Sequence, residues 1–93
     1  MSSLHTLHHA NPEALNRALA AAQTDDALLL REDAVLLGRH PALAQLPCAV
    51  CYALQADIDA RGLQSLLPGF IQPISDAAFV TLTLQYDRVI AWR

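Results

Sequence analysis

Short apolar runs that are continuous, rather than alternating with polar residues, constrain this chain more than any other feature. Residues 27–30, Ala-Leu-Leu-Leu, form one such run, and residues 49–54 form another soon after Pro47. A strand is apolar at every position when both of its faces are covered, as in the parallel sheets of α/β proteins. The two runs therefore predict buried central strands.

Helix signals separate the apolar runs. Asn11 and Pro12 suit the cap and the first position of a helix, and Leu15 and Leu19 then recur on one apolar face. Strands that alternate with helices over short connections predict an α/β fold, with a mostly parallel sheet covered by helices on both faces. A chain of 93 residues is short enough that we expect a single domain, residues 1–93.

The C-terminal third is less uniform. Residues 70–74 predict a strand, but Pro73 cannot donate a hydrogen bond to a neighbouring strand, which places this strand at an edge of the sheet. Residues 76–86 fit the period of a helix and that of a strand about equally well, so the pattern leaves their structure open. Residues 89–92 predict a last short strand.

The composition indicates a subunit rather than a free-standing monomer. The chain is 54% hydrophobic and only 16% charged, and a small domain cannot bury that much apolar surface by itself. The net charge is −3, and the six basic residues are scattered arginines. Direct binding of nucleic acid is not expected, because it requires clustered lysine and arginine.

The N-terminal residues lack the basic and apolar regions of a signal peptide, and no apolar run approaches the length that spans a bilayer. With two cysteines and no secretion signal, the sequence predicts a cytoplasmic protein with free thiols and no membrane contact.

The segment Cys48-Ala-Val-Cys51 has the spacing of a redox motif or of half a zinc site. If both cysteines lay on one strand, residues three apart would point to opposite faces and could neither pair nor share a metal. We therefore expect both to be structural. The alternative, a cysteine persulfide carried on Cys48 or Cys51, requires an exposed thiol of lowered pKa.

Glu32 and Asp33 could act as a general acid and base, but solvated loop charges or a helix cap are the commoner role of such a pair. The four histidines show no ligand spacing for a metal, and the isolated glycines speak against a phosphate loop. We expect no catalytic residue, no metal and no cofactor. Residues 4–8 are a further short strand candidate, with His8 at its carboxyl end, and Asp33 comes soon after the run at residues 27–30. Both therefore belong at the carboxyl edge of the sheet, where α/β proteins place their sites. They are candidate cleft or interface residues, together with Trp92, since tryptophan is enriched at interface hot spots.

Four stretches together resemble the TusB/DsrH family: LHTLH at residues 4–8, DALLLREDAV at 26–35, YALQADIDARGL at 52–63 and AFVTLTLQYDRVIAWR at 78–93. The resemblance covers most of the chain, and the ARGL block is its most specific part. It implies the three-layer α/β/α fold of DsrE/DsrF/DsrH-like proteins, with a five-stranded parallel sheet, and it favours a helix over residues 76–86.

The resemblance also implies a function. Members of the TusB branch are non-catalytic subunits of a sulfur relay, in a hetero-oligomer with TusC-like and TusD-like partners. A TusA-like protein donates persulfide sulfur and a TusE-like protein accepts it, toward 2-thiolation of the tRNA wobble uridine. DsrH members serve sulfur oxidation and carry a cysteine in the first helix, which here has alanine near position 18. The TusB branch is therefore favoured. A stand-alone homo-oligomer with a small-ligand cleft is the remaining alternative.

Overall fold

The computed structural model describes residues 1–48 and 50–93, and its centre is one five-stranded sheet. The strands are β1 (Ser3–Leu7), β2 (Ala27–Leu30), β3 (Val50–Leu54), β4 (Ile71–Ile74) and β5 (Arg88–Trp92), arranged in the order β4-β3-β2-β1-β5. Every neighbouring pair is parallel. The predicted α/β fold with a mostly parallel five-stranded sheet is confirmed. Ala49, which the sequence pattern placed in the third strand, lies outside the described residues.

In the described part of the chain, three α-helices and two 3-10 helices connect the strands. The α-helices are α1 (Pro12–Ala21), α2 (Gln55–Ala60) and α3 (Asp76–Gln85), and the 3-10 helices are Glu32–Arg39 and Pro41–Gln45. Helix α1 begins where the sequence predicts, because the Asn11 side chain accepts a hydrogen bond from the Glu13 backbone N–H. Residues 76–85 are helical, as the family resemblance implied and the pattern alone did not decide.

The two faces of the sheet carry separate apolar cores. On the first face, α1, α2 and the 3-10 helices pack over inward-pointing strand residues such as Leu28, Leu30 and Cys51. On the second face, Leu4 and Leu29 pack under α3. Each fully buried leucine contributes about 1.5–3 kcal/mol relative to an exposed one. The continuous apolarity of the central strands is thus explained by burial on both sides.

The strand order explains two further features of the sequence. Strand β4 is an edge strand, which is the position that Pro73 requires. Strand β5 returns to the opposite edge and pairs with β1, so that Trp92 lies level with Leu7. The last strand of the chain therefore lies beside the first, and this places Trp92 next to residues far away in sequence.

Candidate functional site

The carboxyl ends of the strands form an open cleft of about 300 Å³. His8 and His9 follow β1, and Glu32 and Asp33 begin the 3-10 helix after β2. Asp57 lies in α2, which follows β3, and Arg61 comes directly after α2; all six residues line the cleft. Parallel strands end at the same edge, which is why residues from three separate segments of the chain meet. The structure thus brings His8 and Asp33 together at this edge, where the sequence placed them.

Arg61 links two of the segments that line the cleft. Its Nη2 donates to Asp33 Oδ1 at 2.7 Å and its Nε to the same oxygen at 3.3 Å. Its Nη1 donates to the Asp57 backbone carbonyl at 3.2 Å and lies 3.6 Å from the Asp57 carboxylate. Both carboxylates are partly solvated, so these pairs contribute at most about 1 kcal/mol each. Their effect is to fix the 3-10 helix after β2 relative to α2.

The backbone at Glu32 is strained in a way that shapes the cleft. Its φ of 52° lies in the left-handed region, which costs a residue with a Cβ about 1–3 kcal/mol. The Glu32 N–H donates to Asp57 Oδ2 at 2.7 Å, and this bond helps to hold the conformation. The Glu32 carboxylate then lies 3.4 Å from Nδ1 of His8.

The cleft is acidic and has no thiol among its lining residues. Three carboxylates face one guanidinium and two histidines, and neither cysteine lines the cleft. Within residues 1–48 and 50–93, no group of three His, Cys, Asp or Glu residues could hold a metal ion. The arrangement is therefore suited to binding a polar or basic surface through ion pairs.

Cys48 and Cys51 are both free and both buried. The expectation that they point to opposite faces is wrong: both belong to the core of the first face. Strand β3 begins at Val50, so Cys48 precedes it and the alternation of side chains does not extend back to it. Burial raises the pKa of Cys48, and burial, assisted by the neighbouring Cys48, raises the pKa of Cys51 to about 12. Neither thiol is poised to react.

Trp92 does not line the carboxyl-edge cleft and belongs to a largely buried hydrogen-bonded network. Its indole Nε1 donates to Nδ1 of His5 at 2.9 Å, and Nε2 of His5 lies 2.8 Å from Oδ2 of Asp26. Indole nitrogen only donates, so Nδ1 of His5 must accept and its proton must sit on Nε2, facing the carboxylate. The prediction that Trp92 contacts a neighbouring subunit stays a prediction, and its indole N–H is engaged within the chain.

Asp26 is almost completely buried, with only 4% of its surface exposed, and its carboxylate accepts three hydrogen bonds. Ser3 N donates to Oδ1 at 2.8 Å, and Gln23 N donates to Oδ2 at 3.0 Å, in addition to the contact with His5. Burial alone would raise the pKa of Asp26, but these donors stabilise the carboxylate and the net result is a lowered pKa. The network ties β1, β5 and the loop before β2 to one another. It borders a cavity of about 270 Å³ that Arg88 also lines.

Sequence reasoning missed this network because its members come from three distant segments. His5 is a histidine inside an apolar strand, and Asp26 is a carboxylate directly before the apolar strand at residues 27–30. That coincidence was a usable signal, since buried charges require partners.

No helix in the described part of the chain is long and apolar enough to cross a membrane.

Comparison with known proteins gives one consistent family. A model of the family described as "DsrH like protein" matches residues 9–89. Proteins named TusB from Salmonella arizonae and Salmonella typhimurium are each 36% identical over 95 residues, covering 96% of this chain and 99% of the relative. The protein named TusB from Salmonella paratyphi B matches over the same extent with the same identity.

A solved structure is similar over the whole fold. The crystal structure of the ychN protein from E. coli superimposes with a TM-score of 0.73 and covers 98% of this chain and 99% of that one. The sequence identity is 18%, so this likeness concerns the fold alone. It agrees with the parallel sheet that the residues of this chain predict.

Proposed function

The chain belongs to the DsrH-like protein family, and on that premise we propose that it is a non-catalytic, cytoplasmic subunit of a sulfur-relay complex. In this proposal the complex passes persulfide sulfur toward 2-thiolation of the tRNA wobble uridine. The near full-length similarity to proteins named TusB supports this branch of the family. The lack of cysteine in α1 also supports the TusB branch, because DsrH members carry a cysteine in this helix.

The observation that carries the proposal is the state of the two thiols. A sulfur carrier must attack a persulfide as a thiolate. With a pKa of about 12, the thiolate of Cys51 at neutral pH is about one part in 10⁵. Cys48 is buried in the same core, and its pKa is raised as well. The chemistry is therefore assigned to a cysteine of the TusD-like partner.

The role left to this chain is assembly. TusC-like and TusD-like partners complete the hetero-oligomer, and TusA-like and TusE-like proteins exchange sulfur with it. We assign the carboxyl-edge cleft to a contact within this system, because His8 and Asp33 present exposed polar atoms there. Trp92 is assigned to the contact with the TusC-like neighbour through the part of its ring that remains exposed.

Co-expression with the TusC-like and TusD-like proteins of the same organism tests the proposal. Affinity capture should recover all three chains, and light scattering should give the mass of an assembly with two copies of each. Sulfur transfer should survive Cys48→Ala with Cys51→Ala and be lost when the TusD-like cysteine is replaced. Failure to recover either partner, or loss of transfer in the folded double variant, contradicts the proposal.

The cleft is tested separately by reversing one charge. Asp33→Lys should weaken capture of a relay protein, because it removes the acceptor of Arg61 and adds a positive charge to the acidic edge. Asp25→Lys is the matched control, since Asp25 is exposed before β2 at the opposite edge of the sheet. Equal capture by both variants would remove the cleft from the assembly.

A further inference from the structure

The cavity of about 270 Å³ beside His5 and Asp26 lies over β1 and β5, next to the end of α1. The helix ends at Ala21, whose side chain is a single methyl group, and this leaves the start of both strands uncovered. Pockets for drug-sized ligands measure about 300–1,000 Å³. A cavity of this size therefore suits a small molecule rather than a large cofactor.

The hydroxyl group of Ser3 lines this cavity without a hydrogen-bond partner. Ser3 is only 2% exposed, and it belongs to the cavity lining. Its backbone N–H donates to Asp26, whereas its Oγ pairs with no group in the described part of the chain. Buried hydroxyl groups are normally hydrogen-bonded. This one is therefore free to bind a molecule that enters the cavity.

The Asp26 carboxylate beside Ser3 is a buried negative charge held by neutral donors. These donors are the backbone N–H groups of Ser3 and Gln23 and the Nε2–H of His5. His5 is neutral, because its Nδ1 accepts from the Trp92 indole and so carries no proton. The two oxygens of a carboxylate offer about four acceptor positions, so Asp26 has one left. A buried carboxylate in this state favours a cationic donor inside the cavity.

Arg88 supplies a positive charge on the other side of Ser3. Strand β1 lies between β2 and β5, and Arg88 is level with Ser3. Asp26 directly precedes β2, so two strand spacings, or about 10 Å, separate its backbone from that of Arg88. The Arg88 guanidinium forms no ion pair with the described residues, and the adjacent Asp87 carboxylate accepts from the Ser2 N–H instead. The two charges thus line one cavity without meeting.

The remaining wall of the cavity is apolar and fixed in position. Arg88, Ile90 and Trp92 alternate along β5, so their side chains lie on the same side of the sheet. The hydrogen bond from the Trp92 indole to His5 fixes the orientation of the ring. A ligand that packs against Ile90 and Trp92 therefore meets a preformed surface, and little side-chain ordering opposes its binding.

We propose that this cavity binds a free α-amino acid with a small side chain. The ammonium group of the ligand donates to Asp26 and to the Ser3 hydroxyl, and its carboxylate accepts from Arg88. Its side chain packs against the apolar wall. A molecule that carries both charges satisfies both sides of the cavity at once, whereas an amine or a carboxylate alone satisfies one of them. The inference goes beyond the proposed function and does not rest on it.

The test compares L-alanine with two analogues: propionate lacks the ammonium group, and ethylamine lacks the carboxylate. Trp92 is the one tryptophan of the chain, so its fluorescence reports on the cavity, and saturation-transfer NMR detects the ligand itself. L-Alanine should bind with a dissociation constant of about 1 mM or below. Each analogue should bind about tenfold more weakly or worse, because it loses charge-assisted hydrogen bonds. No binding of L-alanine in either measurement, or binding no tighter than that of either analogue, overturns the inference.

Two variants locate the binding. Arg88→Gln should weaken L-alanine binding about tenfold or more. Arg39→Gln is the matched control and should leave it unchanged, because Arg39 is exposed on the first 3-10 helix and does not line the cavity. Ser3→Ala should weaken binding without lowering the free energy of unfolding, because no group of the chain loses a partner. Unchanged binding in both Arg88→Gln and Ser3→Ala, with both variants folded by circular dichroism, overturns the inference.

Discussion

Asparagine in place of Asp26 cannot satisfy the three donors that the carboxylate now accepts. Asparagine offers one acceptor oxygen, and its NH₂ group must then face another donor, either the Ser3 N–H or the His5 and Gln23 donors. His5 cannot adjust by moving its proton to Nδ1, because that nitrogen accepts from Trp92. The substitution Asp26→Asn therefore leaves at least one buried donor without an acceptor.

The expected cost follows from the contacts that are lost. A hydrogen bond to a charged acceptor contributes about 1.5–3 kcal/mol, and a buried donor left unsatisfied costs about 1–3 kcal/mol. Allowing for relaxation, we expect Asp26→Asn to lower the free energy of unfolding by about 3 kcal/mol. For a domain of this size, that corresponds to a fall in Tm of about 15 °C.

Urea unfolding followed by the fluorescence of the single tryptophan measures this cost directly. Asp25→Asn is the matched control, because the neighbouring carboxylate is exposed and its loss should change stability by no more than about 0.5 kcal/mol. Equal stability of the two variants would refute the network.

A double-mutant cycle tests the fixed proton on His5. With Trp92→Phe the indole donor is gone, so His5 can present an unprotonated Nε2 to the asparagine NH₂ group. Asp26→Asn should then cost about 1 kcal/mol less than in the natural chain, measured by circular dichroism. Strictly additive costs would contradict the tautomer assigned to His5.

Three further results are expected. The pKa of Asp26 is lowered in the folded state. Its contribution to the free energy of unfolding is therefore complete above its unfolded pKa of about 3.9 and is lost as pH falls through the folded pKa. Acid titrations of stability should show this loss in the natural chain and not in Asp26→Asn. Cys48 and Cys51 should resist iodoacetamide at pH 8 until denaturant is added, as mass spectrometry will show, and rapid labelling of either in the native protein would contradict their burial. Glu32→Gly should stabilise the fold by about 1 kcal/mol in urea unfolding because it relieves a left-handed residue, whereas Glu13→Gly, within α1, should destabilise it by about the same amount.

The parts of the fold that the sequence predicted are those governed by local physics. Continuous apolarity in residues 27–30 requires burial on both faces of the sheet, and these residues are buried. Pro73 requires an outermost strand, and β4 is one. The sequence also predicted that His8 and Asp33 lie at the same side of the sheet, because this needs only the rule that parallel strands end together.

The missed parts depend on tertiary order. The network of His5, Asp26 and Trp92 exists because β5 lies beside β1, and strand order cannot be read from local pattern. The error over Cys48 arose at an element boundary: a strand that begins at Val50 does not impose its alternation on a residue before it. The left-handed Glu32 is a non-glycine residue held by a contact from Asp57 in α2, so no local signal marked it.

In the proposed function this subunit carries no sulfur itself. The most direct measurement loads the assembled complex from a TusA-like persulfide donor, alkylates it under native conditions and locates added sulfur by mass spectrometry of peptides. We expect a persulfide on a cysteine of the TusD-like partner and unmodified Cys48 and Cys51. A persulfide on either of these two cysteines would contradict the proposed role.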